Sequence, residues 1–212
     1  MKKFDQKKRI LAMGAHPDDI EFGCGGLLAR LSDRGYRLHL YVLTDGSKAA
    51  SPEVRRAEQE AAARYLGAEL FWGGFEDASL PNDHLIIQSM EQVLKKVRPD
   101  EVYINYYRDT HQDHRKLEQA ALVATRSATK VFYYDDWSTI DFNPNVFVDI
   151  EGVLDRKIEL LSKHQSQAER EFEHTQNCIR DSVLATARFR GLQAHIRFAE
   201  AFLPVRFVRD IG

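Results

Sequence analysis

Cysteine is scarce in this chain, since only Cys24 and Cys178 occur among its 212 residues. So few cysteines exclude a disulfide scaffold and suit a reducing compartment, where both side chains would be packed thiols. The chain also lacks an uninterrupted apolar run long enough to cross a bilayer, and its start, MKKFDQKKRI, lacks the apolar segment of a signal peptide. We therefore expect a cytoplasmic protein without a membrane span.

The chain also has no large excess of positive or negative charge. The formal net charge is -2, the pI is near 6.5, and basic residues are interspersed with acidic ones. This balance excludes the broad basic surface with which proteins bind nucleic acid. Hydrophobic residues make up 43% of the chain, enough for a sizeable core. Because no linker, repeat or low-complexity segment divides the sequence, we expect one domain.

Short apolar runs rich in β-branched and aromatic residues alternate with longer segments of helical periodicity. Ser51 and Pro52 mark the start of one such helix. This alternation predicts a mainly parallel, doubly wound α/β sheet flanked by helices. The pattern becomes helical from residue 151 to RGLQAHIRFAEAF at 190–202, which predicts a helical C-terminal third. The predicted strands cover residues 9–15, 37–44, 69–74, 101–107, 130–136 and 145–150.

Histidines and aspartates cluster after two of the predicted strands. His16, Asp18 and Asp19 follow the first strand, and the segment RDTHQDHR at 108–115 follows the fourth. In the common winding of such sheets, strand order reverses between the first and fourth strands, and ligands bind there beyond the carboxyl ends. We therefore expect the two segments to meet at one crevice.

The crevice is better suited to a metal ion than to a nucleotide. A dinucleotide requires a G-x-G-x-x-G turn, whereas the turn here is GAHPDD, whose adjacent carboxylates would repel a pyrophosphate. Imidazoles and carboxylates without a thiolate cluster fit a catalytic zinc, or a similar divalent transition metal, which keeps three protein ligands and an open position. Magnesium binds few histidines. Catalysis also needs a general base that is not a ligand, and adjacent aspartates can divide those two tasks.

Several motifs resemble those of the LmbE-like (PIG-L) family of zinc-dependent N-deacetylases. They are AHPDDIEFGCGG at 15–26, RRAEQEAAARYLGA at 55–68, HQDH at 111–114, SKHQSQ at 162–167 and GLQAHIRFAEAF at 191–202, which resembles the family's C-terminal helix. The resemblance implies a Rossmann-like fold and hydrolysis of an N-acetyl group from an N-acetylglucosamine unit, which releases acetate and a free amine. It extends over most of the chain, so we expect residues 1–212 to form a single LmbE-like deacetylase domain.

The resemblance also implies roles for the clustered residues. His16, Asp19 and His114 would bind one zinc ion per chain, and Asp18 would be the general base. His111 would face the substrate and stabilise the oxyanion. These roles agree with the chemistry of amide hydrolysis, in which one carboxyl group takes a proton from water and returns it to the departing amine.

Further residues are candidates for the substrate pocket and its support. Arg55 resembles an arginine that family members direct into the site, although the arginine that follows it is the alternative, and Asp77 resembles an acidic residue that binds sugar hydroxyls. His164 either lines the pocket or is simply packed. Asp109 and Asp113 are predicted to orient the metal-binding histidines.

Two other functional classes stay open at this point. A metal-dependent phosphoesterase would be expected to use more acidic ligands and a second metal, and a non-catalytic, metal-stabilised binding module would not need an unliganded carboxylate. The resemblance favours a small amino-sugar conjugate as substrate. It leaves open the group to which the sugar is attached, because variable loops make those contacts. The sequence also leaves open the oligomeric state, although relatives often associate.

Overall fold

The computed structural model describes residues 7–209, apart from the side chains of Glu171 and His174. The strands are β1 (Arg9–Gly14), β2 (Arg37–Thr44), β3 (Glu69–Phe75), β4 (Glu101–Asn105), β5 (Lys130–Tyr134), β6 (Val146–Asp149) and β7 (Ala199–Phe207). The helices are α1 (Asp19–Asp33), α2 (Pro52–Leu66), α3 (Asp83–Val97), α4 (Gln112–Ala124), α5 (Leu154–Leu161), α6 (Gln165–Thr175) and α7 (Ile179–Gln193). None of these helices is both long and apolar enough to cross a membrane.

One seven-stranded sheet runs through the protein in the order β3-β2-β1-β4-β5-β7-β6. The first five strands along the chain pair in parallel, and β7 is antiparallel to both of its neighbours. Apolar side chains fill a core on each face of the sheet. The predicted α/β class and the six predicted strands are confirmed. The strand order reverses between β1 and β4, as the common winding predicts.

The sequence signals at the ends of α2 match its structure. The Ser51 side chain accepts a hydrogen bond of 3.3 Å from the Val54 N–H, and Pro52 is the first helical residue. The helix ends at Gly67, whose φ of 68° lies in the left-handed region that favours glycine. Local chemistry therefore specifies both ends of α2.

The helical prediction for residues 190–202 is wrong over its last part. Helix α7 ends at Gln193, and residues from Ala199 form β7 between β5 and β6. Alternation explains the strand, because Phe198 and Phe202 pack in the core on one face of the sheet while Leu203 packs against the core on the other. Partner strands far away in the sequence supply the pairing, which local periodicity does not reveal. The expectation for the thiols is also half wrong, since Cys24 is buried and Cys178 is exposed.

A buried ion pair braces α1 where that helix is irregular. Cys24 has non-helical dihedral angles (φ -140°, ψ 17°), so the N–H groups that follow lack their usual helical acceptors. The Glu200 carboxylate of β7 accepts hydrogen bonds from the N–H groups of Gly26 (2.7 Å) and Leu27 (2.6 Å). Lys157 of α5 donates to the same carboxylate at 2.6 Å. Strand β7, which local periodicity does not predict, therefore also supports helix α1.

We expect Glu200→Ala to destabilise the protein by about 3 kcal/mol or more, because it leaves two N–H groups without acceptors and the buried Lys157 ammonium with only the Phe22 carbonyl in place of its counter-charge. Urea unfolding of the two proteins measures this difference. The matched control is Glu91→Ala, which removes an exposed partner of Arg126 and should change the free energy of unfolding by about 1 kcal/mol or less. Equal effects of the two substitutions would contradict the bracing role.

Candidate metal and active site

The predicted crevice is a cavity of about 320 Å³ at the carboxyl ends of β1 and β4. Its base is formed by the loop that leads from β1 into α1 and by the start of α4, which are the two segments singled out from the sequence. Parallel strands bring these loops together because their carboxyl ends lie at one edge of the sheet. Residues lining the cavity include His16, Asp18, Asp19, Arg55, Asp77, His111, His114, Asp136 and Trp137.

Three of these side chains form a compact set of nitrogen and oxygen atoms. The Nδ1 atom of His16 lies 3.2 Å from Nε2 of His114 and 3.7 Å from Oδ2 of Asp19. The distance between Nε2 of His114 and Oδ2 of Asp19 is 3.3 Å. Two ligands bound at about 2.0–2.1 Å in a tetrahedral zinc site are separated by roughly 3.4 Å. The donor types and their spacing therefore fit one zinc ion.

Carboxylates contact the second ring nitrogen of His114 and of His16, the one that is not part of the three-atom set. Oδ2 of Asp109 lies 3.0 Å from Nδ1 of His114, while Oδ2 of Asp113 and Oδ1 of Asp77 each lie 3.3 Å from Nε2 of His16. Such contacts fix the tautomer and the orientation of metal-binding histidines. Asp109 and Asp113 thus lie where the orienting role predicted for them requires.

The site has a strong preference for positive charge. Although burial lowers the pKa of His114, the carboxylates of Asp19 and Asp109 raise it to about 10. Burial opposes ionisation of Asp19 too, but the His114 and His16 imidazoles hold the pKa of Asp19 well below its usual value. The carboxylates therefore favour positive charge at this cluster, which a bound metal cation would supply.

Asp18 occupies a strained turn, and its carboxylate contacts Arg55 at the wall of the same cavity. Its φ of 102° lies in the left-handed region that non-glycine residues rarely adopt. Two residues one turn apart on α2 hold this turn: Gln59 accepts the Asp18 N–H at 3.2 Å, and Arg55 donates to the Asp18 carboxylate at 3.0 Å. Arg55 also donates to the carbonyl of Pro17. Burial raises the pKa of Asp18, against the opposing charge of Arg55.

His111 caps the N-terminus of α4 and exposes its second nitrogen to the cavity. Its Nδ1 accepts a hydrogen bond of 3.2 Å from the Asp113 N–H, so in the neutral ring the proton lies on Nε2. Burial and the neighbouring charges of His16 and His114 lower the pKa of His111. The ring is therefore a neutral hydrogen-bond donor, with its centroid 4.5 Å from that of His16.

The three residues predicted to contact substrate have different surroundings. Arg55 is buried and faces the cavity, whereas Arg56 is exposed with its guanidinium 4.9 Å from the centre of the Trp72 ring. Asp77 lines the cavity; burial opposes its ionisation, but contact with His16 lowers its pKa to about 2. His164 is fully buried and does not line the cavity, and its Nε2 lies 3.6 Å from the carboxylate of Glu21. The structure therefore brings two of the three to the cavity.

Sequence reasoning missed Asp136, which lies within metal-ligand range of Asp19 and His114. Burial and the charge of Asp19 raise the pKa of Asp136 well above its usual value, and its Oδ2 is buried without a hydrogen-bond partner. A signal for it existed, because β5 ends at Tyr134 and Asp136 follows that carboxyl end. The rule that identifies the residues after β1 and β4 also applies to β5, but the predicted strand covers 130–136 and therefore includes Asp136.

The fold and the site together define a Rossmann-like α/β protein with a histidine and aspartate cluster that fits a divalent metal. Residues 11–125, more than half of the chain, match the family described as PIG-L, GlcNAc-PI de-N-acetylase. The chain belongs to the PIG-L family.

Known relatives agree with this assignment. The uncharacterized deacetylase YaiS of Escherichia coli is 35% identical over 174 residues, which cover 76% of this chain and 93% of the relative. The diacetylchitobiose deacetylase of Thermococcus kodakarensis is 28% identical over 77% of this chain and 72% of its own length. The crystal structure of a conserved protein of Thermus thermophilus superposes with a TM-score of 0.84 at 25% identity, over 96% of this chain and 97% of the other.

We expect His114→Ala to weaken zinc binding by roughly 100-fold or more, because it removes one of three clustered donors. His111→Ala should change zinc affinity by less than about tenfold, because the tautomer set by Asp113 leaves a protonated nitrogen toward the cavity. Competition with a chromophoric chelator measures both dissociation constants. His16, His111 and His114 also lie within metal-ligand range of one another, so equal losses in the two variants would identify that alternative ligand set.

Proposed function

We propose that this protein is a zinc-dependent N-deacetylase that removes an N-acetyl group from an N-acetylglucosamine-type sugar. The observation that carries the proposal is the three-ligand set beside a carboxylate that stands outside it, since Asp18 is held by Arg55 and Gln59. A hydrolase of amides requires this separation of a metal site from a general base. Membership of a family that contains named deacetylases supports the choice of bond.

His16, Asp19 and His114 would hold the zinc ion. When bound, zinc would supply Lewis acidity, which polarises a carbonyl group and makes a water molecule more acidic. The outer contacts of Asp109 and Asp113 keep both imidazoles oriented for binding.

Asp18 acts as the general base and then as the general acid. Its carboxylate takes a proton from the attacking water, and the acetyl carbon gains the new C–O bond. The carboxyl group returns that proton to the amide nitrogen as the C–N bond breaks, so that acetate and a free amine leave. Burial raises the pKa of Asp18, which strengthens it as a base, while the hydrogen bond from Arg55 keeps the carboxylate aimed at one place.

His111 stabilises the charge that develops on the carbonyl oxygen. Its Nε2–H points to the cavity because Nδ1 is occupied by the Asp113 N–H. A neutral donor fixed in advance at the N-terminus of α4 costs no reorganisation during the reaction. The Asp77 carboxylate at the cavity wall contacts His16 and accepts the Lys48 N–H. Its remaining lone pairs can accept hydrogen bonds from sugar hydroxyls.

The choice of an acetamide over a phosphate ester rests on the family, whose named relatives include deacetylases. Charges of both signs line the cavity, since Lys48, Arg55 and Arg170 accompany Asp18, Asp77 and Asp136.

The zinc-loaded protein should release acetate from N-acetylated sugars and no phosphate from p-nitrophenyl phosphate or sugar phosphates. About one zinc ion per chain is expected, and removal of that ion with a chelator should abolish turnover until zinc is returned. Acetate and phosphate are measured on the same samples. Release of phosphate alone would establish the phosphoesterase, and zinc binding without any turnover would favour the binding module.

We expect Asp18→Asn to retain zinc and lose turnover by about 100-fold or more, because an amide keeps the shape of the side chain but cannot accept the proton. Metal content, acetate release and thermal unfolding are measured on one preparation. Asp155→Asn, at an exposed position of α5, is the matched control and should match the unsubstituted protein. Loss of zinc in Asp18→Asn would instead identify Asp18 as a ligand, and full activity would place the base elsewhere.

A further inference from the structure

A carboxylate on α2 joins the start of α6 to the arginine that holds Asp18. One oxygen of Glu58 accepts the Ser166 N–H at 2.7 Å. The other oxygen accepts the Ser166 hydroxyl at 2.8 Å and the Arg55 guanidinium at 3.2 Å. Arg55 in turn donates to the Asp18 carboxylate at 3.0 Å. We call Glu58 and Ser166 the Glu58 bridge. It includes a residue of the SKHQSQ motif at 162–167, which has no other part in the proposed hydrolysis.

The Glu58 bridge lies behind the wall of the active-site cavity. Arg55 and Asp18 line that cavity, whereas Glu58 and Ser166 do not. Neither residue of the bridge is therefore placed to touch a bound substrate. Any effect of the bridge on the reaction has to pass through Arg55.

The orientation of the Arg55 guanidinium depends on Glu58. Arg55 is 1% exposed, and within residues 7–209 its Nε is buried without a hydrogen-bond partner. Pro17 and Asp18 both accept hydrogen bonds from the same nitrogen, Nη2, while Glu58 accepts from Nη1. Two contacts at one nitrogen leave the planar group free to pivot about that atom. The contact with Glu58 removes this freedom.

The main chain at Asp18 has a separate support. Gln59 accepts the Asp18 N–H at 3.2 Å and donates to the Glu21 carboxylate at 2.7 Å. Two main-chain N–H groups hold the Asp19 carboxylate. Loss of the Glu58 bridge should therefore move the Asp18 side chain and leave the turn and the proposed metal ligand in place.

We propose that Glu58 and Ser166 are positioning residues, which aim the Asp18 carboxylate at the attacking water by fixing the plane of the Arg55 guanidinium. This inference rests on the proposed function, in which Asp18 is the general base. Because the bridge acts on proton transfer and not on substrate contacts, its loss should lower kcat and preserve KM and zinc content. Displacement of a reacting group by about 1 Å can lower a rate by about 100-fold.

Glu58→Gln tests the bridge because it keeps the shape of the side chain. An amide has one acceptor oxygen, whereas Arg55 and Ser166 donate to both oxygens of Glu58. In the zinc-loaded protein, kcat for acetate release from N,N'-diacetylchitobiose should fall about tenfold or more, with KM changed by less than about threefold. The matched control is Glu60→Gln on the same helix, a partly exposed carboxylate 3.9 Å from Arg64, which should change neither constant.

Ser166→Ala tests the other end of the bridge, and it does so even where Glu58→Gln fails to fold. It removes the hydroxyl and keeps the Ser166 N–H, so kcat should fall by roughly threefold or more at unchanged KM. In the double variant, kcat should fall no further than in Glu58→Gln, because both substitutions break one link. Effects that multiply in the double variant would show that the two residues act independently, which overturns the bridge.

Crystal structures of the zinc-loaded proteins give a readout that does not depend on turnover. In Glu58→Gln the Asp18 carboxylate should move by roughly 1 Å or occupy several conformers, while Asp19 stays in place. In Glu60→Gln both carboxylates should superpose on those of the unsubstituted protein.

The outcomes separate the bridge from the proposed reaction. A displaced Asp18 carboxylate in Glu58→Gln, together with no acetate release by the unsubstituted protein, would support the hold of the bridge on Asp18 and contradict the deacetylase function. An undisplaced carboxylate, or an unchanged kcat with a lower melting temperature, would overturn the positioning role and leave the function standing. A raised KM at unchanged kcat would also overturn it, because the bridge would then serve substrate binding by Arg55.

Discussion

Repulsion among buried carboxylates is the constraint around which this site is organised. Asp19, Asp77, Asp113 and Asp136 approach the His16 and His114 imidazoles from several sides, and Asp18 adjoins Asp19. Burial and mutual repulsion give these charges an electrostatic cost. The surrounding structure offsets that cost with main-chain N–H groups, with imidazoles and with one buried guanidinium. A divalent cation completes the same compensation. The chemistry and the stability of these loops therefore depend on the same charges.

The backbone at Asp18 explains how two adjacent like charges coexist. A positive φ at Asp18 turns its carboxylate toward Arg55, while the Asp19 carboxylate turns back to accept the N–H groups of Ala15 and His16. The strain of this turn is offset by Gln59, which binds the Asp18 N–H. The two carboxylates consequently have opposite pKa shifts, since the pKa of Asp18 is raised and that of Asp19 is lowered. The proposed separation of a base from a metal ligand is thus a property of the turn.

Much of the centre of the site could be predicted from the sequence because its residues follow strands whose pattern is local. The strands before His16 and before His111 are continuous apolar runs, and parallel winding dictates that their carboxyl ends meet. The remainder depends on contacts between distant segments. Strand β7 exists through pairing with β5 and β6, and the burial of His164 depends on how α6 packs. Periodicity within one segment carries no information about such partners.

The same distinction separates the candidate site from part of its surroundings. His16, Asp18, Asp19, His111 and His114 all lie within residues 11–125, the stretch that matches the family. Trp137 and Ser166 lie beyond it, on the loop after β5 and on α6. The residues of the candidate site therefore follow the parallel strands, whereas the part of the cavity wall that Trp137 forms depends on segments beyond the matched stretch.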